Sequence, residues 1–121
     1  MTSFLVCLLL LLHTIGDFVF QTDKMATGKS SSNKILLTHT SVYSLVFLGL
    51  GFLPIFSWYQ AIAFMLINFV AHTATDYVTS RMTKKLWAKG DVHNFFVVIG
   101  FDQLLHMIVL VLSFEWLLNC F

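Results

Sequence analysis

Charge is scarce in this chain. Asp, Glu, Lys and Arg make up 11% of the 121 residues, against 58% hydrophobic residues, far from the balance of a soluble domain. A water-soluble protein of this size would have to hide that apolar surface in one small core, whereas a membrane protein leaves much of it facing lipid. The two cysteines, Cys7 and Cys120, form neither a CxxC pair nor the spacing of a zinc knuckle. They read as small apolar fillers; both would lie toward the outer face, and a disulfide between them is left open. A basic face with polar and aromatic readers is also missing, which argues against nucleic acid as a partner. The single proline, Pro54, marks a turn.

What the chain does have is four apolar stretches of about the 20 residues a membrane span needs: roughly 3–21, 35–56, 58–79 and 93–118. The expected fold is all-α, a polytopic membrane protein with four transmembrane helices in a compact bundle, forming one domain over 1–121. Turn and linker residues, Gly28 with Ser30, Ser31, Ser32 and Asn33, fill the first connector, and Gly90 lies in the third. All seven basic residues fall in these two connectors: Lys24, Lys29 and Lys34 in one, Arg81, Lys84, Lys85 and Lys89 in the other. An even number of spans separates them, so they share a side, and the positive-inside rule makes that side cytoplasmic. Both termini then face outward, with Trp58 and Trp116 at the outer boundary and Trp87 at the inner one. The first stretch lacks the basic start and the small-x-small cleavage site of a secretory signal and is expected to be retained as a span.

Apart from Glu115 and His93 near the two ends of the last span, three of the six acidic residues and four of the five histidines lie inside these spans. A charged residue at a helix centre costs about 2.5 to 3.5 kcal/mol, so such groups usually face the bundle interior and mark function. One of them is readily explained by an interhelical hydrogen bond; seven are not. Three spans carry a His and an Asp four residues apart, namely His13 and Asp17, His72 and Asp76, and Asp102 and His106, a spacing that puts both on one helix face. His39 adds an imidazole from the second span. Counted from the cytoplasmic ends at 1.5 Å per residue, the set forms a layer roughly 15 Å deep in the inner half of the bilayer, with His106 as its outlier. These seven residues are the expected ligands of one or two divalent ions, zinc first and manganese or iron as alternatives. Gln21, Asn68, Gln103 and Tyr43 are expected to orient them. His93 and Glu115 read as interfacial residues, Asp23 and Asp91 as solvated acids.

The stretch His13-x-x-Gly16-Asp17-x-x-x-Gln21 resembles the signature of an uncharacterised family of small bacterial and phage membrane proteins (domain of unknown function 3307). The resemblance covers nearly the whole chain and takes in the Lys29-Ser30 loop, His39 with Tyr43, His72-x-x-x-Asp76 and Asp102-Gln103-x-x-His106. It implies an architecture and the inner membrane of a bacterium, but no activity. More distantly, the first motif is similar to the helix of zinc-dependent phospholipase C and S1/P1-type nucleases, which implies zinc ligation by His13 and Asp17. His72-x-x-x-Asp76 and the stretch around His39 resemble membrane-bound metal-dependent hydrolases. The spacing from Asp17 to Gln21 is one residue longer than in the phospholipases, and the amino-terminal tryptophan ligand of those enzymes is missing.

The expected function is therefore a metal-dependent hydrolase of phosphoesterase type acting on membrane lipid at the inner leaflet, with Asp17, Asp76 and Asp102 as its working carboxylates. Lys24, Lys29, Lys34, Arg81, Lys84 and Lys85 are expected to gather anionic head groups, although topology alone accounts for them equally well. The alternatives are a metal or proton transport or channel subunit and a metal-stapled structural protein; a homo-oligomer is compatible with any of the three.

Overall fold

The computed structural model describes residues 1–120; of the domain expected over 1–121, Phe121 lies outside the described residues. The described chain is all-α, without strands. Its elements are α1 (Ser3–Thr14), which runs on as a π-helical turn over Ile15–Val19, a short α2 (Asp23–Gly28), α3 (Asn33–Leu45), which tightens into a 3-10 helix over Val46–Phe52, α4 (Trp58–Ala88) and α5 (Val92–Cys120). Thr2, Thr22, Ser32 and Ser57 cap the first four α-helices, each accepting from a backbone amide of its first turn. Ser57 and Gln60 complete a reciprocal capping box, satisfying two amides that the helix itself leaves unpaired.

Three helical segments, Asn33–Phe52, Trp58–Ala88 and Val92–Cys120, are long and apolar enough to cross a membrane, by length and composition. Ser3–Val19 is a shorter apolar helix, so the expected set of four equal spans becomes three long helices and one short one. The second expected span, 35–56, also ends early. Its last turns are the 3-10 segment, where Gly51 is required because the Trp58 indole leaves no room for a Cβ. Pro54, which has no amide to donate, then falls in the turn before Ser57.

The third connector is mostly helix rather than loop. α4 continues past Thr79 through Arg81, Lys84 and Lys85 to Ala88, so its 31 residues extend about 46 Å. It closes with Gly90 at φ +73°, Gly90 N–H donating to Trp87 O and Asp91 N–H to Leu86 O, the paired bonds of a Schellman motif. Asp91 then accepts from the backbone and side-chain amides of Asn94. The Asn94 side-chain amide holds its carboxyl below the usual carboxylate range.

This extension makes a step in the bundle. His39 and His72 touch, their Nε2 atoms 3.2 Å apart, yet His39 lies six residues from the start of α3 and His72 sixteen from the end of α4. The α4–α5 hairpin therefore projects roughly ten residues, about 15 Å, past its neighbours. The connector carrying α2 lies against that projection, tied by Lys84 Nζ donating to Ser31 Oγ (2.5 Å) and Arg81 Nη2 donating to Asn33 Oδ1 (3.1 Å). The same extension corrects the reading of His106 as an outlier in depth. It lies fourteen residues into α5, level with His72 on the lengthened α4, and the two rings stack with centroids 4.0 Å apart.

Burial divides the bundle into two halves. One is a dry core of Leu9, Phe47, Leu50, Phe64, Leu110, Phe114 and their neighbours. The other buries His13, Asp17, His39, His72, Asp76, Asp102 and His106. Phe4, Phe52, Tyr59, Leu66, Val70, Phe101, Leu112 and Trp116 stand exposed. An apolar exterior around a polar interior reverses the usual soluble arrangement and is what lipid as solvent favours.

Candidate metal centre

Each of the four longer helices contributes to one buried polar cluster. Gly16 brings the first of them in. A Cβ at this position would sit 3.1 Å from the Tyr43 carbonyl oxygen, so a side chain here would push α1 away from α3. The π-helical turn beginning at Ile15 carries Asp17; such turns re-aim a side chain and recur at functional sites.

Asp17, His39, His72 and Asp76, all buried, offer four ligand atoms within 4.8 Å of one another. His39 Nε2 lies 3.2 Å from His72 Nε2, 3.2 Å from Asp17 Oδ1 and 3.3 Å from Asp76 Oδ2. His72 Nε2 lies 3.4 and 3.3 Å from the same two oxygens. These are five of the six separations among the four atoms, and the sixth, between the two carboxylate oxygens, is no more than 4.8 Å. A point equidistant from all four then lies about 2.0–2.4 Å from each, within reach of a divalent ion bound by nitrogen and carboxylate oxygen. With Nε2 of each ring facing this point, Nδ1 carries the ring proton on the far side, and in both rings it is buried with no protein acceptor.

A second group, Asp17, Asp102 and His106, shares Asp17 with the first. His106 Nε2 lies 3.2 Å from both Asp102 Oδ2 and Asp76 Oδ1, so Asp76 also reaches toward both. Three carboxylates and one lysine sit in this region. With neutral imidazoles the excess of two negative charges matches one divalent cation, and an apolar surround makes leaving it unbalanced costly.

His13 stands apart from the ligand set expected to contain it. Gln103 Nε2 donates to Asp17 Oδ2 at 3.0 Å and to Asp102 Oδ2 at 3.2 Å, so its Oε1 faces His13 Nε2 at 2.8 Å as an acceptor. His13 must then carry its proton on Nε2 and accept from the Tyr43 hydroxyl at Nδ1, 3.0 Å away. Both nitrogens are engaged, and neither metal group includes this residue. Gln103 thus orients two carboxylates at once, while Tyr43 holds His13 and lays its ring on His72, centroids 3.9 Å apart. Asn68, expected to orient ligands, is bonded instead to Phe64 O and Ser113 Oγ. Gln21 Oε1 is buried with no partner.

Two contributors were not assigned these roles from the sequence. Lys29, grouped there with the head-group lysines, turns inward: its Nζ donates to Asp76 Oδ2 at 2.8 Å and its side chain is mostly buried. Thr79 Oγ1 donates to Asp102 Oδ1 at 2.5 Å. No helical period links residue 29 to residue 76; the Gly28-Lys29-Ser30 turn was the available signal. Lys24, Lys34, Lys84 and Lys85 are exposed, and Arg81 is half-buried over the Tyr77 ring.

At the step in the bundle a cleft of about 590 Å³ runs from the α2 connector to the cluster. Asp17, Asp102 and Gln103 line it on the metal side, Lys29, Ser30 and Lys84 on the connector side, and Trp87, Phe95, Phe96 and Ile99 along its apolar wall.

Among known proteins, a family described as protein of unknown function (DUF3307) matches residues 5–120. No curated protein and no solved structure matches the chain, so the zinc-dependent phospholipases and S1/P1-type nucleases that the first helix resembles do not come up. The family match runs from before the first buried histidine to past the last buried aromatic, and this protein accordingly belongs to the DUF3307 family of proteins of unknown function.

Proposed function

We propose that this protein is an integral membrane, metal-dependent hydrolase of phosphoesterase type, acting on lipid at the inner leaflet. The observation that carries the reading is the four-ligand set formed by His39, His72, Asp17 and Asp76 beside a three-residue group that shares Asp17. Zinc is the favoured ion, because two imidazoles and two carboxylates are a donor set that suits it. Manganese and iron are the alternatives. Four protein ligands close a tetrahedral ion, as in structural sites, whereas three leave a position open, as in catalytic ones. The Asp17, Asp102 and His106 group is therefore the working end. Two of its members line the cleft.

A bound divalent ion lowers the pKa of a coordinated water and polarises a phosphoryl oxygen. In the reaction, the oxygen of water adds to phosphorus, one phosphorus–oxygen ester bond breaks, and the departing alcohol takes up a proton. Asp102, on the cleft and steadied by Thr79 and Gln103, would ligate the ion through one carboxylate oxygen and accept the proton of the attacking water at the other. Asp17 and Asp76 would hold the ions, the charge of a second ion being met by the phosphate of the substrate. The likeness of the first helix to phospholipase C carries over for Asp17 alone, since His13 acts through Tyr43 and Gln103.

The orientation proposed is four spans with both termini outside and both basic segments cytoplasmic in a bacterial inner membrane. At seventeen residues, Ser3–Val19 is at the short end of what crosses a bilayer. A metal-stapled structural protein is the second reading, favoured by the closed four-ligand group. Transport has less support, because Phe47, Phe64 and Phe114 fill the rest of the interior.

Elemental analysis of the purified protein in detergent tests the metal, with Asp17→Asn and His72→Ala as controls expected to lose it. Chelator-free protein holding less than about a tenth of an ion per chain ends the metal reading. Hydrolysis of phospholipids and polyprenyl phosphates tests the enzyme; metal-replete protein inactive on all of them leaves the structural reading.

A further inference from the structure

The cleft at the step combines three features that independently point to a ligand. Its mouth is cationic, with Lys84 exposed and Lys29 leading inward to Asp76. Its wall is apolar, formed by Phe95, Phe96, Ile99 and Trp87, and Phe96 and Trp87 stand 60% exposed, so the wall opens outward rather than into the bundle. Its lining also holds two buried polar atoms without partners, Ser80 Oγ and Gln21 Oε1. Ser80 is itself more than nine-tenths buried, and its hydroxyl has a proton to donate that no protein atom accepts. A buried polar group left unpaired is costly, and a ligand supplying the partner recovers that cost.

The depth of the cleft agrees with these features. Thirty ångströms of hydrocarbon measured along α4 from Trp58 corresponds to about twenty residues, which ends near residue 78. Residues 79–87 of α4 and the first turns of α5 then lie at head-group level, beside acyl chains on one side and water on the other. A soluble phosphate would find the lysines but have no use for four large apolar side chains. An uncharged lipid would find the wall but leave the lysines and Ser80 unanswered.

We propose that this cleft binds one anionic phospholipid with a hydroxyl-bearing head group, entering sideways from the inner leaflet. Its phosphate lies between Lys84 and Lys29 and accepts from Ser80, its head-group hydroxyl donates to Gln21, and its glycerol backbone and ester groups lie against Phe96 and Ile99 before the acyl chains turn into the leaflet. The inference rests on the phosphoesterase reading for what happens next, and names the substrate class of that same site. Lys29 bridges the two regions, one ammonium serving both Asp76 and the incoming phosphate.

The test reads binding and turnover separately. Purified protein in detergent micelles, with Trp58→Phe and Trp116→Phe leaving Trp87 as the sole indole, is titrated with dihexanoyl phosphatidylglycerol, dihexanoyl phosphatidylcholine, dihexanoyl glycerol and inorganic phosphate. Turnover of the same lipids is followed by phosphorus NMR. Phosphatidylglycerol is expected to change the Trp87 emission saturably, at least about tenfold more tightly than the other three, since phosphatidylcholine lacks the head-group hydroxyl, dihexanoyl glycerol the phosphate and inorganic phosphate the apolar part. Lys84→Ala and Ile99→Phe, the second of which narrows the cleft without adding an indole, should each weaken it about tenfold while metal content and helicity stay unchanged. Equal binding of phosphatidylcholine or dihexanoyl glycerol overturns the proposal, as does equal binding of inorganic phosphate. Saturable, variant-sensitive binding without turnover sinks the hydrolase reading and leaves the lipid site standing. Turnover whose KM is indifferent to both variants does the reverse.

Discussion

Phe64 and His72 lie on one face of α4, eight residues apart, and both are almost wholly buried. Phe64 meets Phe47, Phe56 and Phe114 edge-on; His72 meets another imidazole, a tyrosine ring and two carboxylates. The dry half asks only for volume and shape, which many apolar residues supply. The polar half asks that every charge find its complement, and a group removed there exposes the need of those left behind. Similar burial therefore conceals different kinds of stability: one half is tolerant and passive, the other intolerant and chemically committed.

That contrast predicts an order of effects. The largest belongs to Asp76→Ala, which strips Lys29, His39, His72 and His106 of a shared partner; thermal unfolding in detergent should show a loss of about 3–5 kcal/mol together with loss of bound metal. Phe64→Ala in the dry half should cost about 3 kcal/mol or more through the cavity it leaves, with the ion count per chain unaltered. If Phe64→Ala also empties the site, the two halves are not separable. Gly16→Ala comes next at about 1–3 kcal/mol, since its Cβ meets backbone of Tyr43 that cannot swing away. It should also weaken metal retention in chelator competition by moving Asp17.

Gln103→Leu should cost about 1–3 kcal/mol, since it leaves His13, Asp17 and Asp102 without a partner, and lower metal affinity about 10- to 100-fold, the usual range for residues that orient ligands. An unchanged affinity would mean that Asp17 and Asp102 hold their positions without it. Smallest of all, Lys24→Ala is exposed and should fall within about 0.5 kcal/mol of the parent, in contrast to the inward-facing Lys29→Ala.

Much of this was legible before the structure. The His and Asp pairs four residues apart identify the polar face of three helices, and their placement in apolar runs identifies the half they occupy. What was not legible involves relations between helices. His13 has the same spacing to its Asp as His72 has, yet it serves as an orienting group because Gln103 and Tyr43, from two other helices, take up its nitrogens. His106 was misjudged because the reach of α4 beyond Thr79 was hidden in a stretch whose charge read as loop. Lys29 was misjudged because a lysine in a glycine and serine turn reads as solvated wherever it points.

By itself the sequence determined that this chain is helical, that its exterior is apolar, and that its carboxylates and imidazoles lie at similar heights, since helical periodicity and hydropathy are properties of single segments. Only the tertiary structure decided which of those groups converge within ligand distance, which nitrogen faces the centre, and where the step opens a cleft. Those are set by the relative rotation and overhang of packed helices, and tenths of an ångström between helices separate a hydrogen-bond network from a metal site.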